Sequence, residues 1–223
     1  MEISSKSDTK FYKDTFEKTS ADRRQKVLDV AIDEFASNGY NATNINDISK
    51  KSGVSIGALY SYFASKEDLF LTIVDNAYIL LETVLNDLAA ASSDIFDWID
   101  RMLEGIRVFA TKYEKLNQIY LDLTTQALSQ MAERLSNKLE VITIQLYCDI
   151  IRQAKEEGKI SKNVDERIAA FCIDNMFTMY QFSFSSDYYK ERMKIFVGEE
   201  RLHDVVYLEH TIARFLHAAL TQD

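Results

Sequence analysis

Apolar residues along most of this chain recur at three- and four-residue steps, the period of helices. Val27, Leu28, Ala31, Ile32 and Phe35 mark a first helix from about Ala21 to Asn38. Ser20 is its N-cap, Asp22 lies in its first turn and Gly39 is its stop. Two short elements follow. Ile45 and Ile48 are the inward positions of a helix from Ile45 to Ser52, and Leu59 and Phe63 those of a second from Ser55 to Tyr62, with Gly53 at the hinge. Two short amphipathic helices joined by a glycine-bearing turn are the sequence form of a helix-turn-helix. The second helix of such a unit fits the DNA major groove. Next comes a long stripe, Leu69, Phe70, Ile73, Val74, Ala77, Leu80, Leu81, Val84, Leu85 and Leu88, which opens on the capping sequence Ser65-Lys66-Glu67-Asp68. It runs to about Ala91, a rod roughly 37 Å long at 1.5 Å per residue.

The pattern stays helical downstream. Ser92-Ser93-Asp94 opens a helix from about Ile95 to Tyr113, another spans about Leu116 to Leu128, and a long one covers about Ala132 to Glu157 and stops at Gly158. Asn163 with Glu166 caps a helix that reaches at least Phe184, and the last runs from about Glu200 to Ala219. Residues 185–199 fit a helical extension or a loop. Residues 1–19 are polar, with Phe11, Tyr12 and Phe16 as their only large apolar groups, and read as a frayed tail that packs locally near Phe16. The chain has no proline and six glycines, which favours long helices over a turn-rich β fold. The expected fold is all-α. A three-helix helix-turn-helix domain over 20–66 is joined by the long helix to a helical body over 67–223.

Composition narrows the class. Hydrophobic residues make up 47% of 223, enough for a core, which excludes wholesale disorder. Cys148 and Cys172 lie in apolar helical contexts without C-x-x-C spacing, as buried free thiols of a reducing cytoplasm do. The first residues carry no apolar run of a signal peptide, and no uncharged apolar stretch is long enough to span a bilayer. The expected location is therefore cytoplasmic, with no membrane partner. The formal net charge is −9. Residues 1–70 hold 10 Lys and Arg against 11 Asp and Glu, a net −1, while residues 71–223 hold 16 against 24, a net −8. The acidity sits outside the helix-turn-helix. That part is not basic either, so phosphate contacts have to come from placed residues and helix ends, not from a broad positive field.

Several motifs now stand in order: Ala31-Ile-Asp-Glu-Phe-Ala-Ser-Asn-Gly-Tyr40, Asp47-Ile48, Gly53-Val-Ser-Ile-Gly-Ala-Leu-Tyr-Ser-Tyr-Phe63 and Ser65-Lys-Glu-Asp-Leu69. With their spacing, residues 16–75 resemble the N-terminal domain of TetR/AcrR-family transcription regulators. The rest of the chain is similar only in being a helical body of suitable length. Thr43 precedes the first short helix, where a hydroxyl and free N–H groups suit a phosphate oxygen or a simple N-cap. Ser55 caps the recognition helix, and Gly57 and Ala58 are small enough to let it approach base edges or merely to let it pack. The resemblance implies that Tyr60 contacts a phosphate, that Tyr62 lies near the backbone and that Lys66 is a phosphate-binding lysine. Asn44, Lys50, Lys51 and Ser61 are further candidates, although a solvated surface accounts for both lysines. Ile56 stands where many relatives carry Lys or Arg. It gives up a charged contact but suits a thymine methyl.

The resemblance further implies a homodimer formed through the last two body helices, about 164–184 and 200–219, on a palindromic operator. It also implies a small-molecule effector bound in the body. Effector binding would shift the body conformation, move the long helix and change the separation of the recognition helices, releasing a repressor from DNA. Candidate pocket residues are Trp98, Met102, Phe109, Tyr113, Tyr120, Tyr147, Met176, Phe177 and Tyr180, though aromatics and methionines at helical spacing also simply form a core. No cofactor, metal or catalytic set is expected. Asp94, Asp97 and Asp100, with Glu104 a turn on, read as acids at a helix N-terminus. His203, His210 and His217 recur every seven residues, about 10.5 Å apart by helix rise and too far to share a metal. Two rivals stay open: a helical enzyme, and a helical interaction protein whose first domain no longer binds DNA.

Overall fold

The computed structural model describes residues 10–125 and 128–222, and along 129–130 and 132–142 the backbone alone. Among the described residues there are twelve helices and no strand, the all-α architecture that the periodicity predicts. The chain divides into two compact units. One comprises residues up to Leu80 with Gln118–Lys138, and the other Leu81–Asn117 with Leu139 onwards.

In the first unit, a single turn Asp14–Glu17 (α1) precedes Ala21–Ala42 (α2), Ile45–Ser52 (α3), Ile56–Tyr62 (α4) and the first part of Lys66–Ala91 (α5). Val27, Ala31 and Phe35 form one buried face of α2, and Ile48, Leu59, Phe63, Leu69, Phe70 and Ile73 of the same unit are also buried. Phe70 sits edge-on to Phe35 at 5.1 Å. Leu69, Phe70 and Ile73, in the first turns of α5, are buried in this unit, which runs on to Leu80. Within residues 10–19 only Asp14–Glu17 are helical (α1), and Phe16 is buried against Tyr62 and Phe63, the local packing expected there.

Two glycines shape this unit. Gly39, at φ 71° and ψ 163°, interrupts α2 in a backbone region that only glycine occupies readily. The three residues beyond it still turn helically before Thr43. Gly53, at φ 75° and ψ 20°, ends α3 in the left-handed conformation and donates its N–H to the Ser49 carbonyl at 3.1 Å. The turn it makes is stitched by buried hydroxyls. Ser49 Oγ donates to the Val54 carbonyl and Ser52 Oγ to the Ile48 carbonyl, each at 2.6 Å. Ser20 stands at the N-cap of α2 but its side chain makes no capping hydrogen bond.

The second unit is built from the rest of α5, Ile95–Lys112 (α6), the start of Glu114–Leu123 (α7), most of Ser129–Glu156 (α8), Glu166–Phe182 (α9), Asp187–Val197 (α10), Glu199–Leu202 (α11) and Val205–Thr221 (α12). Trp98, Ile99, Leu103, Ile151, Ile173, Phe177 and Leu216 lie in its core. Segment 185–199 resolves as α10 and the start of α11. The last long helix therefore begins at Val205 rather than near residue 200, with Asp204 accepting the Tyr207 N–H at 3.0 Å. His203 falls at the end of α11, so the three histidines do not share one helix. Asp165, not Asn163, caps α9, accepting the N–H groups of Arg167 and Ile168. The acids near 94–104 act as expected at a helix start. Asp94 accepts the Phe96 and Asp97 N–H groups, while Asp97 accepts the Ser93 N–H and pairs with Arg101. These bonds to Ser93 and Arg101 hold the Asp97 carboxyl below its usual pKa.

Candidate functional site

Periodicity divides α4 into two faces. Leu59 and Tyr62 are buried, while Ile56, Gly57, Tyr60 and Ser61 are exposed. Ile56 and Tyr60, one turn apart, are 38% and 48% exposed, so this face presents apolar and aromatic surface to solvent. The helix is held from both ends. Ser55 Oγ accepts the Ala58 N–H at 3.1 Å. At the other end, α1 reaches the last three carbonyls: the Lys13 N–H donates to Tyr62 O and Lys13 Nζ to Tyr60 O, both at 2.8 Å, and Thr15 Oγ1 donates to Ser61 O. The Ser61 hydroxyl turns back to the Ala58 carbonyl at 2.7 Å. Ala58 is half-buried and Ser55 exposed on the same side as Ile56.

Three expected DNA contacts change character. Thr43 is buried. Its hydroxyl lies 3.0 Å from the Glu34 carbonyl and 2.7 Å from that of Gly39, and its N–H also donates to Gly39, so neither donor is free for a phosphate. The N-cap of α3 is instead Asn44, whose Oδ1 accepts the Asn46 N–H at 2.9 Å, leaving Asn44 exposed at a helix N-terminus. Tyr62 points its ring inward, 5.4 Å from Phe16. Lys66 works inside the unit: its ammonium donates to the carbonyls of Tyr40 (2.8 Å), Asn41 (3.3 Å) and Thr43 (3.0 Å) and lies 4.5 Å from the Tyr40 ring centre. Three bonds match its three hydrogens. Burial pushes its pKa down, while the carbonyl dipoles favour the charged form and oppose that push.

These contacts make Lys66→Met a test of the role. Hydrogen bonds to a charged group contribute about 1.5–3 kcal/mol each before the loss is shared among acceptors that water can reach. The variant should therefore melt several degrees lower in the absence of DNA. Unchanged melting with weakened DNA binding would return Lys66 to the phosphate. Lys50 is exposed, whereas Lys51 pairs with Glu34, itself buried at the centre of α2.

The expected effector residues divide. Trp98, Met102, Tyr147, Phe177 and Tyr180 are all buried in one cluster, with Met176 packed against it. Trp98 lies edge-on to Tyr147 at 4.9 Å and to Phe177 at 5.9 Å. They pack as core of the second unit, where Trp98 also borders a small hollow with Ile95, Ile150 and Ala154. Phe109 and Tyr113 lean on each other at 4.9 Å, and Tyr120 belongs to the first unit. Tyr180 alone among them borders a cavity of about 480 Å³, formed with Phe184, Met193, Leu202 and Leu208 and with the charged Asp187, Lys190, Glu191 and Lys194 beside His203; Lys194 is paired with Glu199 at 3.0 Å. Its hydroxyl donates to Glu209 at 2.9 Å, and the same carboxylate receives Arg107 Nε at 2.7 Å. Burial and then Glu209 push the Tyr180 phenol well above its ordinary pKa, so it stays a donor. Most of the cavity walls come from α10 to α12, of which α10 falls in the segment 185–199 that fits either a helix or a loop by sequence. The helical spacing of Tyr189, Met193 and Val197 was the available signal.

A helix-turn-helix with an exposed, glycine-bearing second helix, followed by an all-helical unit with a cavity, defines a DNA-binding transcription regulator. Comparison with known proteins carries this further. Residues 27–73 match the family model of bacterial regulatory proteins, tetR family. The HTH-type transcriptional repressor KstR2 of Mycobacterium tuberculosis is 30% identical over 150 residues, spanning 64% of this chain and 72% of the relative. The fatty acid metabolism regulator protein of Bacillus subtilis is 26% identical over 160 residues, 65% of this chain and 74% of the relative. The crystal structure of FadR from Bacillus subtilis in complex with stearoyl-CoA superposes with a TM-score of 0.69 at 18% identity, over 88% of this chain and 98% of that one. The chain belongs to the TetR family of transcription regulators. Its members bind operator DNA as dimers and answer to small-molecule effectors, which removes the catalytic rival. Among the described residues no helix is long and apolar enough to cross a membrane.

Proposed function

We propose that this regulator is a repressor that reads a palindromic operator with the exposed face of α4 and leaves it when an amphiphilic small molecule binds the second unit. The observation that carries the DNA half is the face itself. Ile56, Gly57, Tyr60 and Ser61 present an uncharged, narrow surface, with Asn44, Ser55 and Ala58 beside it. Such a surface suits close approach to base edges, with the Ile56 side chain against a thymine methyl and the Tyr60 hydroxyl toward a phosphate. The proposed DNA-binding domain runs from about residue 10 through the first turns of α5.

Dimerisation fits α9 and α12. Both expose large apolar groups, Ile168, Phe171 and Met179 on one and Val206, Tyr207 and Phe215 on the other. A second copy would bury them. The effector site fits the cavity beside Tyr180, whose volume is within the usual range for drug-sized ligands. Its apolar lining of Phe184, Met193, Leu202 and Leu208 suits a molecule with a long apolar part, and Lys190, Lys194 and His203, interspersed with Asp187 and Glu191, offer hydrogen-bond and charge partners to a polar head. A long-chain acyl-CoA is the first to try, given the fatty acid metabolism regulator among the relatives and the stearoyl-CoA bound in the FadR crystal structure. Cys148 is buried as expected, whereas Cys172 is exposed because it lies on the outer face of α9; both are free thiols, which fits a reducing cytoplasm.

The test is selection of duplexes from a random-sequence library by the purified full chain, followed by titration with stearoyl-CoA. The expected outcome is an enriched inverted repeat whose affinity falls linearly with salt on logarithmic axes, and release by the acyl-CoA. No enrichment at low salt overturns the DNA half. Binding that no acyl-CoA relieves overturns the effector class.

A further inference from the structure

DNA affinity comes largely from cations placed against phosphates, yet α4 carries no charged residue, and neither do its flanks Gly53–Ser55 and Phe63–Ser65. Of the lysines nearest in sequence, Lys51 is paired with Glu34 and Lys66 is held by three carbonyls. The fold brings a cation to α4 from 47 residues away. We infer that Lys13 is a phosphate-contacting residue of the DNA interface, fixed there by the docking of α1 on the recognition helix.

Four contacts hold Lys13 in place. Its main chain is extended (φ −89°, ψ 158°), donates to Tyr62 O and accepts the Phe16 N–H, both at 2.8 Å. Two residues on, Thr15 bonds to Ser61 O, and the Phe16 ring is buried 4.7 Å from Phe63. The side chain then runs to Tyr60 O at 2.8 Å. This bond uses one of the three ammonium hydrogens, and the residue is exposed. The position suits an anion for a geometric reason. A seven-residue helix is about 10 Å long, and the major groove is about 12 Å wide. A group fixed at the end of such a helix, beside the exposed Tyr60, therefore stands near a phosphate strand when the helix occupies the groove. The C-terminal end of α4 carries the negative pole of its dipole, which keeps the ammonium there in the free protein. The anchoring also removes most of the entropy that a flexible lysine loses on binding. By contrast Lys10, in the same segment, is drawn to Glu17 at 2.6 Å.

This inference rests on the reading of α4 as the DNA-binding helix, and the experiment separates the two. The duplex selected by the wild-type full chain is titrated at a series of salt concentrations with wild type, Lys13→Met, Lys13→Arg, Thr15→Val and, as a bulk-charge control, Lys162→Met. Each phosphate contact contributes about 0.9 to the slope of log affinity against log salt, so loss from both protomers should lower the slope by about 1.8. The deficit of Lys13→Met should then shrink roughly twelvefold between about 50 and 200 mM salt. Lys13→Arg should restore the slope, and Thr15→Val should weaken binding at an unchanged slope. Lys162→Met should match wild type. Weaker binding by Lys13→Met with the wild-type slope would mean that Lys13 only caps α4, and would overturn the inference. A wild type that selects no duplex overturns the DNA reading itself.

Discussion

A Gly57→Leu variant should fold at least as stably as the parent and bind DNA a hundredfold or more weakly. A Cβ built at Gly57 meets nothing within 4 Å, so the fold has room for the side chain. Glycine in a helix interior costs about 0.5–1 kcal/mol relative to alanine, so filling the position with a better helix former should raise the melting temperature slightly. The space is empty in the free protein because it faces outward, on the same side as Ile56 and Tyr60. In the groove that space belongs to DNA. Four extra carbons there push the helix away from base edges, where each well-formed contact contributes about 1–3 kcal/mol to discrimination. The loss applies to both protomers of a dimer. Thermal melting and fluorescence anisotropy on one preparation read both effects. Tight binding by a well-folded Gly57→Leu would show that this face of α4 is not the reader.

A Trp98→Ala variant should lose about 3–5 kcal/mol of stability, the usual cost of deleting a large buried aromatic, out of a total of about 5–15 kcal/mol. Trp98 is 1% exposed and touches rings from α8 and α9, so its loss opens a void between three helices. Trp98→Phe should cost far less. The indole Nε1 has no hydrogen-bond partner among the described residues, so only volume is given up. Calorimetry or denaturant titration reads the difference. If Trp98→Ala instead melted close to wild type and altered effector affinity, Trp98 would line an effector site and not the core.

The DNA-binding half was legible because local signals there agree. Gly39 and Gly53 sit where the backbone turns left-handed, Ser55 caps α4, and the apolar steps of α2 all point inward. The missed features depend on contacts far apart in sequence. Lys66 looks like a surface lysine until three carbonyls of the Gly39 bend surround it, and nothing near Thr43 says that its hydroxyl turns back toward Glu34. Segment 10–19 has too few apolar residues to show a period, so packing near Phe16 was legible but its partners, Tyr62 and Phe63, were not. In the second unit, periodicity found the helices but could not tell Trp98, Tyr147 and Phe177 as core from the same residues as a pocket lining. Both arrangements place aromatics inward, and only packing distances separate them. Residues 185–199 were ambiguous for a related reason: α10 has no fully buried side chain, so its pattern lacks the apolar stripe that marks a core helix.

The most direct test of the central claim is methylation protection on the selected duplex with the wild-type full chain bound. Dimethyl sulfate attacks guanine N7 in the major groove and adenine N3 in the minor groove. Recognition by two copies of α4 predicts protection of guanine N7 in two inverted half-sites related by the dimer axis, while adenine N3 within them remains reactive. Full N7 reactivity on a saturated duplex, or protection confined to the minor groove, would contradict it.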